Sequence, residues 1–250
     1  MFFRRLRNQL ADQNWLAVMI ELFIVAVGIF LGIQASNWND DRAERALERG
    51  YLIRLHEDIL ASAEGLEADN KFLEQQLSDQ AIILHALDSC QLASEDELRM
   101  QRGISTLGYL NAPRLFRRTF DELAASGHID IIQNENIKAA LARIVAEVEF
   151  RQSVMGSIFR KVDYHRARFD EQVRYDTTRS LEGSTSAVAV NFDLQSLCEL
   201  PRNAAAVSAI SLMSRERLFA FRRLLDQYRN FLPLVRNELE SRWGYAVERE

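Results

Sequence analysis

Few side chains in this 250-residue sequence stand where chemistry could use them, and the first is an acid in an apolar run. Glu21 is the one ionisable residue between Trp15 and Trp38, inside WLAVMIELFIVAVGIFLGI. In hydrocarbon such a group costs about 2.5–3.5 kcal/mol or more unless it is neutralised, hydrated or paired, so it marks a contact or a relay. Cys90 and Cys198 are the only thiols. Without a CxxC or a second pair they do not spell a zinc site, and the remaining chemistry open to them is a disulfide. His56-Glu57-Asp58 looks metal-like, but adjacent residues fan around a helix and no two histidines stand four apart, so a solvated face is expected there. His165, between Val162 and Phe169, reads as a partly buried, hydrogen-bonded core residue. Ser126-Gly127-His128 lacks the strand-turn-helix setting of a nucleophile elbow. Arg117-Arg118, Arg160-Lys161 and Arg222-Arg223 read as covers for apolar flanks that meet nearby acids. No catalytic residue, metal or cofactor site is expected, and no catalytic activity is inferred.

The element that carries Glu21 is the most specific feature of the chain. Trp15 to Ile33 is long enough for a helix to cross the hydrocarbon layer. Trp15 and Trp38 bracket it as interface anchors, roughly 35 Å apart at about 1.5 Å per residue. Arg4, Arg5 and Arg7 precede it, whereas the residues after it mix signs. The positive-inside rule then makes residues 1–14 a cytoplasmic basic segment, 15–36 a transmembrane helix and 37–250 an extracytoplasmic domain. A cleaved signal peptide shares this layout, with Ile33-Gln34-Ala35 as its cleavage site. Its apolar core would be unusually long and would contain an acid, so the anchor is the preferred reading.

Within that helix Glu21, Gly28, Gly32 and Ser36 fall on one stripe, and small residues four apart allow close helix approach. The stripe is expected to contact another helix, from a second copy of the chain or from another membrane protein. Glu21 then serves as interhelical glue, as a proton or ion relay, or as a carboxylate paired to the partner. Gln34, on another side, is placed to hydrogen-bond to a neighbour or to headgroup water. Residues 39–250 carry 28 basic against 34 acidic residues with no extended basic block, so nucleic acid is not an expected partner.

The run Glu21, Gly28-Ile29, Gln34, Asn37-Trp38-Asn39 and Arg42 resembles the membrane-exit signature of a bacterial family of single-pass proteins, known mainly as a domain of unknown function. Thr119-Phe120-Asp121-Glu122-Leu123, Ser126-Gly127, Ile132 and Asn134 are similar to its second block. The two blocks frame roughly residues 15–150. Ile137-Lys138 and Val145 stand where that family's pattern has Leu-Arg and Tyr. The resemblance implies a membrane anchor followed by a helical domain, and no activity.

Past the membrane, apolar residues recur at helical spacing from Leu47 through Leu55, Leu66, Leu77 and Leu87. Ser94-Glu95-Asp96-Glu97 reads as a capping box that opens a second helix. Pro113 interrupts it, Thr119–Ser126 resumes it, and Gly127 suits a left-handed end. Asn134 caps a third helix whose stripe runs from Ile137 to Val173. Residues 180–192 read as a polar turn region, and a last helix follows Pro201, with a kink expected at Pro233. Four stripes bury one another as an up-down-up-down bundle, an all-α fold. That topology puts Cys90 and Cys198 at the membrane-distal end, where an oxidising compartment would allow them to bond, the alternative being two small buried side chains. The functional expectation is a membrane-anchored helical scaffold or interaction protein of the bacterial envelope, sited in the inner membrane with its bulk in the periplasm. The alternatives are a sensor-like domain that lodges a small molecule between helices, or an ion-motive accessory subunit using Glu21.

Overall fold

Good helix formers and a near absence of breakers govern the first third of the chain. No proline occurs between Trp15 and Ser89, and the computed structural model forms a single helix there, α1 (Trp15–Ser89). The structure describes residues 15–110, 112–113, 115–181 and 187–245, with side chains from Met19 onward. These fall into two units, one through Tyr51 and one from Leu52 on.

In the first unit, residues 19–47 are exposed throughout, with Phe23 at 69% and Phe30 at 60%. This is the one described helix long and apolar enough to cross a membrane, its mean hydropathy reaching 2.0 with none of that stretch buried. Leu47, expected to open the core stripe, is 40% exposed.

The second unit contains the rest of α1, a 3-10 turn Ser94–Asp96, α2 (Glu97–Ser105), α3 (Arg118–Ser126), a 3-10 turn His128–Ile131 and α4 (Glu135–Asp170). A hairpin of β1 (Val173–Ser180) and β2 (Val188–Phe192), then α5 (Leu194–Cys198) and α6 (Pro201–Trp243), complete it. The directions follow from the cross-links. Arg54 of α1 holds Glu122 of α3 at 2.8 Å, Asp58 accepts from Thr119 N–H at 3.0 Å, and Asp79 holds Arg102 of α2 at 2.6 Å, so the α2–α3 leg runs against α1. Glu67 pairs with Arg229 and Glu74 with Arg222, both at 2.7 Å, so α6 also runs against α1. Asn134, at the start of α4, donates to Glu238 near the end of α6 at 2.6 Å. The four legs therefore go up, down, up and down, and the second is broken in two.

The caps explain the boundaries. Asn134 Oδ1 accepts from the N–H groups of Asn136 and Ile137, Pro201 fills the first turn of α6, and Gly127 takes φ +71° to end α3. The capping box at Ser94 does not form: Ala93 is the N-cap of a 3-10 turn, and neither it nor Asp96 caps with its side chain. Pro233 lies inside α6, which continues through it to Trp243.

The hairpin is the departure from the all-helical expectation. Val173 ends no helical stripe; it pairs with Phe192, and Tyr175 with Val190, in antiparallel register with an irregularity between Asp176 and Ser180. The outer edge of β2 is covered by α2, where Ser105 Oγ accepts from Val188 N–H at 2.9 Å and Gln101 Oε1 from Val190 N–H at 3.4 Å. Val190 then joins Ile83, Leu87, Met100, Ile104, Phe169, Leu197 and Val207 in one buried cluster at this end of the bundle. α2 reaches α1 closely at Gly103, where a Cβ would stand 2.9 Å from Ile83 Cδ1 and 3.1 Å from the Asp79 carbonyl oxygen, so a larger residue would force its neighbours to shift.

Candidate functional site

The helical periodicity of α1 sets Glu21, Gly28, Gly32 and Ser36 along one side, and all four are exposed. A Cβ built on Gly28 or Gly32 would meet nothing within 4 Å, so the small-residue stripe is open. Gln34 lies off the stripe and is likewise exposed. Trp38 is 62% exposed, with the Arg42 guanidinium 5.9 Å above its ring. Trp15 begins the helix, but its side chain and the whole of residues 1–14, including Arg4, Arg5 and Arg7, lie outside the described residues.

Cys90 and Cys198 are joined as a disulfide with their Cα atoms 5.8 Å apart. The bond ties the end of α1, where Cys90 takes φ +49°, to the end of α5 just before α6. Cys198 Sγ also lies 3.6 Å from the carbonyl of Ala86.

The residues weighed for catalysis scatter. His56 is buried at 5% exposure and not on a solvated face, Glu57 is exposed, and Asp58 is taken up with the Thr119 N–H. His165 is half-buried, edge-on to Tyr164 at 5.3 Å. The Ser126 hydroxyl donates to the backbone carbonyl of Glu122 at 2.7 Å, a helix-end bond. Among the described residues no group of three or more His, Cys, Asp or Glu could hold a metal ion.

The periodicity of apolar residues gives no hint of a polar layer at mid-bundle. Gln76, Asp79, Thr106, Ser214 and Arg217 are all buried. Asp79, 1% exposed in its side chain, takes the Nε and Nη2 of Arg102 at 2.6 and 2.8 Å and the amide of Gln75 at 3.0 Å. The hydrogen bond to Asp79 raises the Arg102 pKa above its ordinary value, against the opposing effect of burial. Beside this pair the second leg unwinds. Gly108 takes φ +73°, and a Cβ there would lie 2.6 Å from Val162 Cγ1, so the turn needs a glycine twice over. Thr106 O already accepts from the Tyr109 N–H at 2.9 Å, and donors from three different helices reach it and the carbonyls of Leu107 and Tyr109. Gln76 donates to Thr106 O at 2.6 Å and Tyr109 O at 3.4 Å, Arg166 donates to Leu107 O, and Arg217 donates to Tyr109 O at 3.4 Å. Arg166 also pairs with Asp170, which accepts from the Tyr175 hydroxyl. Burial, with that hydrogen bond, raises the Tyr175 pKa and keeps the phenol neutral.

No protein-family model matches the chain. No curated protein and no solved structure matches it.

Proposed function

We propose that this chain is a membrane-anchored helical scaffold or interaction protein of the bacterial envelope, held in the inner membrane by residues 15–36 with its bundle in the periplasm. The observation that carries the reading is the solvent exposure of the apolar stretch: a run with mean hydropathy 2.0 and no buried share has no aqueous environment that suits it. A core helix of a soluble domain buries at least one stripe, whereas a lipid-facing helix exposes apolar side chains all round while satisfying its backbone internally. The likeness of the membrane-exit residues to a bacterial single-pass family supports the same reading, as do the three arginines ahead of the span. An interaction role fits a bundle whose ion pairs Arg54–Glu122, Asp79–Arg102, Glu67–Arg229 and Glu74–Arg222 join its own legs.

The partners proposed are the lipid bilayer and a second copy of the chain, or another membrane protein, meeting the Glu21, Gly28, Gly32 and Ser36 stripe. A face that places a carboxyl among glycines is better suited to a helix than to lipid.

The test uses the full-length chain in isolated membranes. Alkaline carbonate should leave it in the pellet, and a Phe23→Arg, Val27→Arg variant should be released. In spheroplasts, external protease should cut within the bundle and spare an N-terminal tag. Release of the unaltered chain by carbonate, or protection of the bundle in intact spheroplasts, refutes the reading.

A further inference from the structure

We propose that the cavity between α4 and α6 binds a small amphipathic carboxylate, with its head on Arg217 and its chain among Met155, Ile158, Met213 and Phe221. This cavity of about 290 Å³ lies within the second unit and does not depend on how the chain is anchored.

The argument begins with an unmatched cation. Arg217 is 5% exposed, and among the described residues its one hydrogen bond is the 3.4 Å contact from Nη1 to Tyr109 O. Nε and Nη2 are buried without a hydrogen-bond partner among the described residues. The Phe221 ring lies 5.5 Å from the guanidinium carbon, and Asp69 attracts the charge. Burial outweighs that attraction and lowers the Arg217 pKa to about 10, which leaves it charged at neutral pH.

Nε and Nη2 share the edge of the guanidinium that grips a carboxylate through two parallel bonds. Arg102 of the same bundle uses that edge, through the same two atoms, to hold Asp79. Among the described residues no carboxylate hydrogen-bonds to that edge of Arg217. A buried donor edge of this kind is expensive to leave unmade, so an exogenous carboxylate gains both the charge and the two bonds.

The surrounding residues narrow the ligand. Val154, Met155, Ile158, Met213 and Phe221 supply apolar wall, so a bare inorganic anion would leave most of it unused. Lys161 and Arg217 line the same cavity with one acid, Glu216, and Arg151 there is paired with Glu147, so the balance favours an anion over a cationic guest. The volume lies just below the range of roughly 300–1,000 Å³ for organic ligands, which suits a medium-length chain. Both unmade donors are shielded from bulk water, so a carboxylate reaches them only when side chains around the cavity shift, and Met155 and Met213 give that lining adaptable members.

The experiment is equilibrium dialysis of radiolabelled octanoate against the full-length chain in nanodiscs of neutral lipid, with empty nanodiscs as the blank. Saturable one-to-one uptake is expected, unaffected by an equal excess of acetate or octanol. Arg217→Met should weaken it at least tenfold while the circular dichroism spectrum is kept. Met213→Trp, which fills the cavity and leaves the cation, should weaken it likewise and decides the matter if the first variant does not fold. Uptake no greater than in empty nanodiscs, or uptake undiminished in Met213→Trp, overturns the proposal. Displacement by octanol as strong as by unlabelled octanoate means that the charge is not read, and displacement by acetate means that the apolar wall is not used; either result also overturns it.

Discussion

Replacing Cys90 and Cys198 together by serine should lower the stability of the bundle by about 4 kcal/mol. The bond closes a loop across a sequence separation of 108, and releasing a loop of that length returns roughly 4–5 kcal/mol of chain entropy to the unfolded state. Little else changes at the two sites. Cys90 is exposed and Cys198 half-buried, so serine loses only modest burial, and a serine hydroxyl at 198 would keep the 3.6 Å contact with the Ala86 carbonyl. Cys90 stands at φ +49°, where cysteine and serine are equally disfavoured, so backbone strain cancels in the comparison. Against a typical total of about 5–15 kcal/mol the variant should still fold, with a melting temperature lower by about 8–16 °C. Urea unfolding of the full-length chain in neutral detergent measures this, and thiol alkylation without reductant checks that the starting protein has no reactive cysteine. A loss below about 1 kcal/mol, with unchanged dependence on denaturant, would refute the entropic account. Two alkylated thiols in protein taken directly from cells would refute the pairing, and with it the proposed oxidising compartment.

Gly28→Ile with Gly32→Ile should abolish crosslinks between membrane partners and leave bundle unfolding unchanged, because the added side chains meet nothing within 4 Å in the chain itself. Unaltered crosslinks would move the partner contact to the bundle. Asp79→Ala should cost about 2–4 kcal/mol in urea unfolding, since it strands Arg102 and the Gln75 amide beside a buried site. A cost near that of an ordinary surface mutation would show that the pair carries no such weight. Asp193 caps α5 through Ser196 Oγ and the Gln195 N–H, and the hydrogen bond from Ser196 lowers its pKa. A folded-state pKa below the unfolded one means that this stabilisation is complete above the ordinary carboxylate range and disappears as pH falls through the lowered value. Asp193→Asn keeps an acceptor and removes the titration, so acid unfolding curves should become shallower in the variant; identical curves would contradict the assignment.

Apolar spacing made most of the bundle legible. The stripe from Ile137 to Phe169 and that from Val207 to Leu239 are buried almost throughout, and Asn134 and Gly127 end their helices as their chemistry requires. The hairpin was hidden because Val173 continues the α4 periodicity by accident of spacing, and because pairing with β2 across the turn outweighs a local helical preference. The polar layer was hidden for a different reason. Gln76 lies next to Leu77 and Asp79 between Leu77 and Leu84 in the sequence, yet the leucines are half-buried and the polar pair takes the inward side. That exchange is dictated by the opposite leg, whose break at 106–109 needs donors, and no pattern within α1 reports it. At the candidate membrane face, type and spacing identified the stripe, but the identity of what covers it is not encoded in the stripe itself.

The broken leg also separates two buried polar residues that otherwise look alike. A continuous helix satisfies its own carbonyls; one that unwinds inside a bundle must borrow donors from neighbours, and each carbonyl left alone costs about 1–3 kcal/mol. Gln76 supplies the short bond, 2.6 Å to Thr106 O, while Arg217 supplies only a 3.4 Å contact to Tyr109 O, which Gln76 already reaches at 3.4 Å. Gln76→Leu removes one of two donors on Thr106 O, which keeps the Tyr109 N–H at 2.9 Å, and should destabilise the bundle by about 0.5–1.5 kcal/mol in urea unfolding. Arg217→Met removes a buried charge and forfeits almost no hydrogen bonding, so it should be neutral or stabilising. Opposite signs would mean that Gln76 holds the connector and that Arg217 is retained for something other than stability. If both variants lose comparable amounts, Arg217 is a structural brace, and the case for a carboxylate in the neighbouring cavity falls with that result.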